Sequence, residues 1–327
     1  MSALAKPAQN FSQGESNLKI PLVVILGPTA VGKSAMAIHL AVHLDGEIIS
    51  ADSRLFYRGM DIGTAKPTKE ERLRVPHHLI DIADPDEIYS LALFQMEANA
   101  AIHKVYANHH LPFLVGGTGQ FLHSIIEDWR IPPVEPNPRL RQVLQQWSNE
   151  IGPLKFHTKL SVLDPQAAGA IDPSNVRRTI RALEVIFTTG KRFSNQRTKG
   201  NQPYDTLLVG LTLPREELYR RIDERISGMI KAGFIDEVQR LLDAGYSPNL
   251  PTLTAIGYGE VVAYIQRKII IDEAIVLMKR RTRSFVRRQA NWFKENNPDI
   301  HWFDASKDNE GEIEKLINNW IQNKEGK

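Results

Sequence analysis

The 327-residue sequence contains no cysteine, which rules out disulfides, thiolate metal sites and thiol nucleophiles. The absence agrees with a reducing compartment, and a cytoplasmic location is expected. No stretch approaches the ~18 consecutive apolar residues of a membrane span, so no membrane partner is expected. Residues 1–17 carry Gln, Ser, Asn and Glu without a continuous apolar segment. This predicts a disordered arm over 1–18 rather than a signal peptide. Internal repeats and low-complexity tracts are lacking as well. Nothing signals self-association, and a monomer is expected.

What is present is an ordinary globular composition, 42% hydrophobic and 24% charged. The length suggests about two domains at roughly 150 residues each. The net charge is only +3, but residues 130–204 hold twelve Lys/Arg against five Asp/Glu, leaving the remainder slightly acidic. A basic block on an acidic body points to a polyanionic partner, although a solvated basic surface reads the same way on charge alone.

The first third alternates short apolar runs with helical spacing. Pro21–Leu26 is β-branched and apolar, and Glu47–Ser50, His78–Ile82 and Pro112–Val115 are further strand candidates. Lys33–Leu44 and Leu91–Ala107 have helical periodicity. Such alternation predicts an α/β fold with a doubly wound parallel sheet. Proline punctuation at Ile131 to Pro138 breaks the pattern, and helical spacing alone follows to about Asn195, one helix starting with Asp172 as N-cap and Pro173 in its first turn. Strand character resumes at Thr206–Leu213, followed by amphipathic helices to the end. The expected organisation is a core of 19–129 plus 204–327 interrupted by an all-helical insertion, 130–203.

Gly27, Pro28, Thr29, Ala30, Val31, Gly32, Lys33 and Ser34 match G-x-x-x-x-G-K-[ST] between an expected strand and an expected helix. In a P-loop NTPase-like core the backbone N–H groups of such a loop wrap phosphate oxygens, aided by the helix dipole. Lys33 adds a compact positive charge, and the Ser34 hydroxyl can ligate Mg²⁺, the one cofactor expected. The motif implies a di- or triphosphate without choosing the compound. Asp52 lies beyond the carboxyl end of the second strand, where doubly wound folds place ligands. There a carboxylate can hold Mg²⁺, take a proton or merely cap a turn. The long Gly-containing, aromatic loop that follows is more than a connection needs.

The loop from Ile49 to Pro67, containing Asp-Ile-Gly-Thr-Ala-Lys-Pro, combines with the glycine signature and Val115-Gly-Gly-Thr-Gly119 to resemble the tRNA dimethylallyltransferase family. Arg181-Ala-Leu-Glu-Val185, Ala255-Ile-Gly-Tyr258 and Arg283 to Trp292 carry the same resemblance, which spans about residues 22–303. It implies transfer of a dimethylallyl group from dimethylallyl diphosphate to N6 of the adenosine immediately 3′ of the anticodon, in tRNAs reading codons that begin with U. Asp52 would be the general base. Thr118 would help fix the adenine, and Arg225 would bind diphosphate opposite Lys33 and Ser34, with Thr29 beside it. Arg221 lies four residues before Arg225, so both can project from one helix face towards phosphate; surface pairing with Glu217, Asp223 or Glu224 is the alternative. Asp52, Ser53, Arg54 and Leu55 would approach the anticodon loop.

Two basic patches suit RNA phosphates. Arg177, Arg178 and Arg181 cluster on one side of a helix whose other side carries Val176, Ile180, Leu183 and Phe187. Residues 279–288 hold six Lys/Arg in ten, including Arg280, Arg283, Arg287 and Arg288, with Gln289 next and Trp292 and Phe293 beyond. Six charges in three turns would repel one another without an anion. The sequence departs from the family pattern at Leu55 (commonly Gln), at Gly119-Gln120-Phe121 (commonly Gly-Leu-Tyr) and at Gly259 (commonly basic). The rival readings are a prenyltransferase acting on free adenine nucleotides, a small-molecule kinase, which would release ADP, and an RNA-binding module without catalysis.

Overall fold

The computed structural model describes residues 19–132, 134–196 and 198–325, so the arm expected over 1–18 lies outside the described residues. Eight strands are present among them: β1 (Ile20–Leu26), β2 (Gly46–Ser50), β3 (His77–His78), β4 (Leu111–Gly116), β5 (Trp129–Arg130), β6 (Thr198–Lys199), β7 (Tyr204–Thr212) and β8 (Ile300–Asp304). Six form one sheet in the order β3-β2-β4-β1-β7-β8, every neighbouring pair parallel. Central β1 is apolar along its length because both sides are covered, and its pleat sends alternate residues to opposite layers. Leu22, Val24 and Leu26 enter one buried cluster; Val23 and Ile25 enter the other.

The first layer is built by α3 (Leu91–Ala107) and α4 (Gly119–Ile126), through residues such as Phe94, Ala98 and Phe121. The second gathers α1 (Lys33–His43), which follows the phosphate loop, with helices from the last third of the chain. The short α2 (Lys69–Arg74) starts with a capping box between Thr68 and Glu71. This is the expected doubly wound α/β sheet.

Between β5 and β7 the chain leaves the sheet. Helices α5 (Pro138–Ile151), α6 (Pro153–Leu163), α7 (Pro165–Ala170), α8 (Val176–Thr189) and α9 (Phe193–Gln196) lie there, and β5 pairs antiparallel with β6. Leu144, Phe156, Leu160, Ile180 and Leu183 make a separate buried cluster. The return strand is followed by α10 (Arg215–Lys231), α11 (Phe234–Asp243), α12 (Tyr258–Ile265), α13 (Ile271–Gln289) and α14 (Glu310–Glu325).

Several boundaries differ from expectation. The strand expected over His78–Ile82 is only His77–His78, because Leu79 and Asp81 take positive φ of 60° and 57° and turn the chain. The helix expected to start at Asp172 starts at Val176. Asn175 caps it, accepting from the Arg178 N–H at 3.1 Å, while the Asp172 carboxylate closes a turn on Ser174 N–H at 2.7 Å. Phe187, placed on the apolar side of that helix, is exposed. Strand β8 was not foreseen: Ile-His-Trp-Phe-Asp is short and carries one exposed residue, and it becomes a strand by pairing with β7 at the sheet edge.

Candidate active site

The phosphate loop leaves β1 at the centre of the sheet. Gly27 is required there: its φ is +146°, and a Cβ would come within 2.5 Å of the Leu211 carbonyl oxygen. Lys33 is half-buried, and its ammonium donates to the Pro28 carbonyl at 2.7 Å. Burial pushes its pKa down to about 8, with the Asp52 carboxylate opposing that and the Arg225 charge adding to it. Ser34 is exposed in the first turn of α1.

Beside the loop lies a cavity of about 380 Å³, lined by residues from the segments that follow β2 and β4 and from α10 and α13. Asp52, just past the end of β2, accepts the Arg54 N–H on Oδ1 at 3.0 Å. Its other oxygen has no hydrogen-bond partner among the described residues. Thr118 occupies the N-cap position of α4 yet makes no side-chain cap, which leaves its hydroxyl for the cavity it lines. Arg225 comes from α10 and donates to the Thr64 carbonyl at 3.0 Å. Burial lowers the pKa of both Arg54 and Arg225, and in each case Asp52 is the principal opposing charge. The charges of Lys33, Arg54 and Arg225 thus all act with one carboxylate, a surplus of positive charge that favours an anionic ligand.

Gln289 ties the site together. Its Oε1 accepts the Thr29 N–H at 3.0 Å, and its Nε2 donates to the Gly117 carbonyl at 2.9 Å, so α13 is fastened to the phosphate loop and to the loop after β4. Close by, Trp292 lies over Gly119, where a Cβ would sit 2.1 Å from the indole. The remaining wall is apolar: Ile222, Ile226, Met229, Met278 and Phe285. This wall was not foreseen. Residues 222, 226 and 229 show ordinary amphipathic spacing, which cannot distinguish a core face from a pocket face.

A second unforeseen residue is Glu237, 2% exposed on α11. Its carboxylate accepts the backbone N–H groups of Asp61, Ile62 and Gly63 at 2.8, 2.6 and 3.1 Å, and the Tyr258 hydroxyl at 2.7 Å. The next residue, Thr64, holds Arg225. Within the same loop Lys66, 1% exposed at its side chain, bonds Asp61 at 2.6 Å and Asp81 at 2.5 Å. The Asp-Ile-Gly-Thr-Ala-Lys-Pro segment is therefore an internally braced support for the cavity.

Of the residues singled out from sequence, Thr29, Asp52, Ser53, Arg54, Thr118, Arg225, Arg288 and Gln289 line this cavity together. Others do not. Arg221 bonds Glu217 at 2.9 Å and reaches the carbonyls of Val31 and Ala305 at 3.4 Å, behind the phosphate loop. Leu55 is only 9% exposed, so its side chain offers little surface to an RNA loop. Arg181 is engaged by the buried Glu184 at 2.7 Å and by the Val134 carbonyl, so it braces the inserted helices. Arg177 and Arg178 stay exposed.

The run 279–288 does not need an outside anion for all its charge. Lys279 and Arg283 both pair with Asp223, and Arg281 with Glu260. Arg280, Arg283 and Arg287, with Tyr219, Val276 and Lys279, border a separate groove.

Comparison with known proteins agrees with this geometry. A family model described as IPP transferase matches residues 55–296. A curated relative from Roseiflexus sp. (strain RS-1), named tRNA dimethylallyltransferase, is 49% identical over 303 residues, covering 92% of this chain and 99% of its own. One of the same name from Thermomicrobium roseum is 48% identical, with 89% and 88% covered. The crystal structure of the full-length tRNA isopentenylpyrophosphate transferase from Bacillus halodurans superimposes with a TM-score of 0.71 at 42% identity, covering 94% of this chain and 99% of that one. A eukaryotic dimethylallyltransferase described as acting on tRNA gives a TM-score of 0.78 at 28% identity, covering 93% and 80%. The chain belongs to the IPP transferase family.

Proposed function

We propose that the chain is an enzyme that transfers a dimethylallyl group from dimethylallyl diphosphate to N6 of an adenosine in tRNA, the one 3′-adjacent to the anticodon in tRNAs reading U-starting codons. The observation that carries the chemistry is the cavity in which an Asp52 oxygen without a hydrogen-bond partner among the described residues faces a cationic rim and an apolar wall. Adenine N6 is a weak nucleophile because its lone pair is delocalised into the ring. The new N6–C bond forms as the allylic C–O bond breaks, and Asp52 takes the N6 proton in the same step. Thr118 positions the base. The diphosphate leaves with its bonding electron pair, and its growing charge is stabilised by the phosphate-loop amides, Lys33 and Arg225. Ile222, Ile226, Met229, Met278 and Phe285 receive the five-carbon chain and exclude water.

Mg²⁺ belongs to this reading. The exposed Ser34 hydroxyl would hold the ion, being the hard oxygen donor that Mg²⁺ prefers. When bound, the ion neutralises diphosphate charge. Reaching an anticodon-loop adenine requires flipping it from its stack, and Trp292 beside the cavity offers a ring for the extruded base.

The test is incubation with labelled dimethylallyl diphosphate and bulk tRNA, followed by digestion to locate the label. Label on an adenosine 3′ of the anticodon is the expected result. Label only on free adenine nucleotides, or ADP release from ATP without prenyl transfer, overturns the reading.

A further inference from the structure

Away from the cavity, α1 and α14 bring together side chains that the prenyl-transfer chemistry does not use. His39 and His43 stand four residues apart in His-Leu-Ala-Val-His and share one face of α1. Glu310 and Glu314 repeat that spacing on α14, which packs against α1. The nearest ligand atoms are close: His39 Nε2 and His43 Nδ1 are 3.0 Å apart, and His43 Nδ1 lies 3.8 Å from Glu314 Oε2. One such atom from each of His39, His43 and Glu314 falls within 4.8 Å of the others. Tetrahedral Zn–N bonds of about 2.0–2.1 Å place two ligating nitrogens about 3.3 Å apart, so little movement is needed.

We propose that His39, His43 and Glu314 form a site for a divalent transition metal of the Zn²⁺ class, which clamps the C-terminal helix to the phosphate-loop helix. The surroundings provide what such a site needs. His39 Nδ1 lies 3.1 Å from Glu310 Oε2. A Glu310 carboxylate accepting the Nδ1–H sets the tautomer that leaves the Nε2 lone pair for metal, the usual second partner of a ligating histidine. The ion would sit at the C-terminal end of α1, where the helix dipole favours positive charge. Ile313 and Ile317 are fully buried beneath α14, so Glu314 is held in place by packing before any ion arrives. The side chains of His39, His43 and Glu314 are 28%, 48% and 35% exposed, which leaves room for water as a fourth ligand. Two imidazoles select against Mg²⁺, which prefers all-oxygen shells. A hydrogen-bonded histidine pair without metal affinity is the competing account.

The test uses chelator-stripped full-length protein titrated by calorimetry with Zn²⁺, with Mg²⁺ as control, alongside melting curves and hydrogen exchange. One equivalent of Zn²⁺ should bind, Tm should rise by roughly 5 °C at 100-fold excess over Kd, and exchange should slow in α14. His43→Ala and Glu314→Gln should weaken Zn²⁺ at least about tenfold, and Glu310→Gln by about 10- to 100-fold. All three positions are at the surface, so the variants should fold. The proposal fails if the wild type shows no saturable Zn²⁺ binding, or if His39→Ala and His43→Ala bind it unchanged. Binding without added protection of α14 would remove the clamp.

Discussion

Lys33 and Asp52 face each other across the site through their charges, and each allows a sharp measurement. Burial holds Lys33 near a pKa of about 8 in the free protein, below its ordinary 10.5. A bound diphosphate favours the charged ammonium, so above pH 8 the protein must take up a proton as the donor binds. Affinity for dimethylallyl diphosphate should therefore hold below pH 8 and fall by up to about tenfold per unit above it. Calorimetry from pH 7 to 10 checks this, and Lys33→Arg, charged throughout, should flatten the profile. At Asp52, Asn is nearly isosteric and still accepts hydrogen bonds, but it cannot take the N6 proton. Asp52→Asn should leave Tm and both substrate affinities largely intact while the saturating single-turnover rate drops about 10²- to 10⁴-fold. A near-wild-type rate would leave Asp52 as the turn cap that its bond to Arg54 already makes it.

At the scale of elements, the loop from Asp61 to Lys66 shows how support reaches the site. Glu237 meets three consecutive backbone donors and the Tyr258 hydroxyl, and the adjoining Thr64 carbonyl orients Arg225. Gln in place of Glu237 would turn an NH₂ towards N–H groups, leaving buried donors unmet at a cost of about 2–3 kcal/mol. Glu237→Gln should lower Tm by several degrees and raise KM for the prenyl donor, though less than Arg225→Ala does. A stability loss with unchanged KM would confine Glu237 to the fold. Sequence reading identified this segment by resemblance but not its brace, since Glu237 lies 174 to 176 residues away. On α13, charge density alone suggested six free cations. Packing against α10 and α12 supplied Asp223 and Glu260 as partners, and those acids are too distant in sequence to be matched in advance.

Over the whole molecule, charge is unevenly shared between the sheet and the inserted helices. Arg177 and Arg178 remain exposed at the first turn of α8, whereas Arg181 is taken up by Glu184. If tRNA is gripped there, reversing the charge of Arg177 and Arg178 should reduce the log–log salt slope of tRNA affinity by roughly one per lost phosphate contact. Binding of the prenyl diphosphate should not change. Filter-binding titrations across a salt series decide, and an unaltered slope would remove α8 from the RNA interface. Arg181→Ala should act differently, lowering stability by leaving buried Glu184 with Arg141 as its one paired arginine among the described residues, rather than changing the slope.

Local pattern determined the phosphate loop, the strand-helix alternation and the break near Ile131, because glycine conformation, pleat and proline geometry act over a few residues. The central strands were legible because burial on both faces demands continuous apolar runs. Tertiary structure alone decided which charges are free, which apolar stripe faces a cavity, and where edge strand β8 forms. It also made Leu55 a core residue and Arg221 a brace behind the phosphate loop. In each of those cases the deciding partner comes from a distant part of the chain, and neither charge nor periodicity carries the identity of a neighbour that only folding supplies.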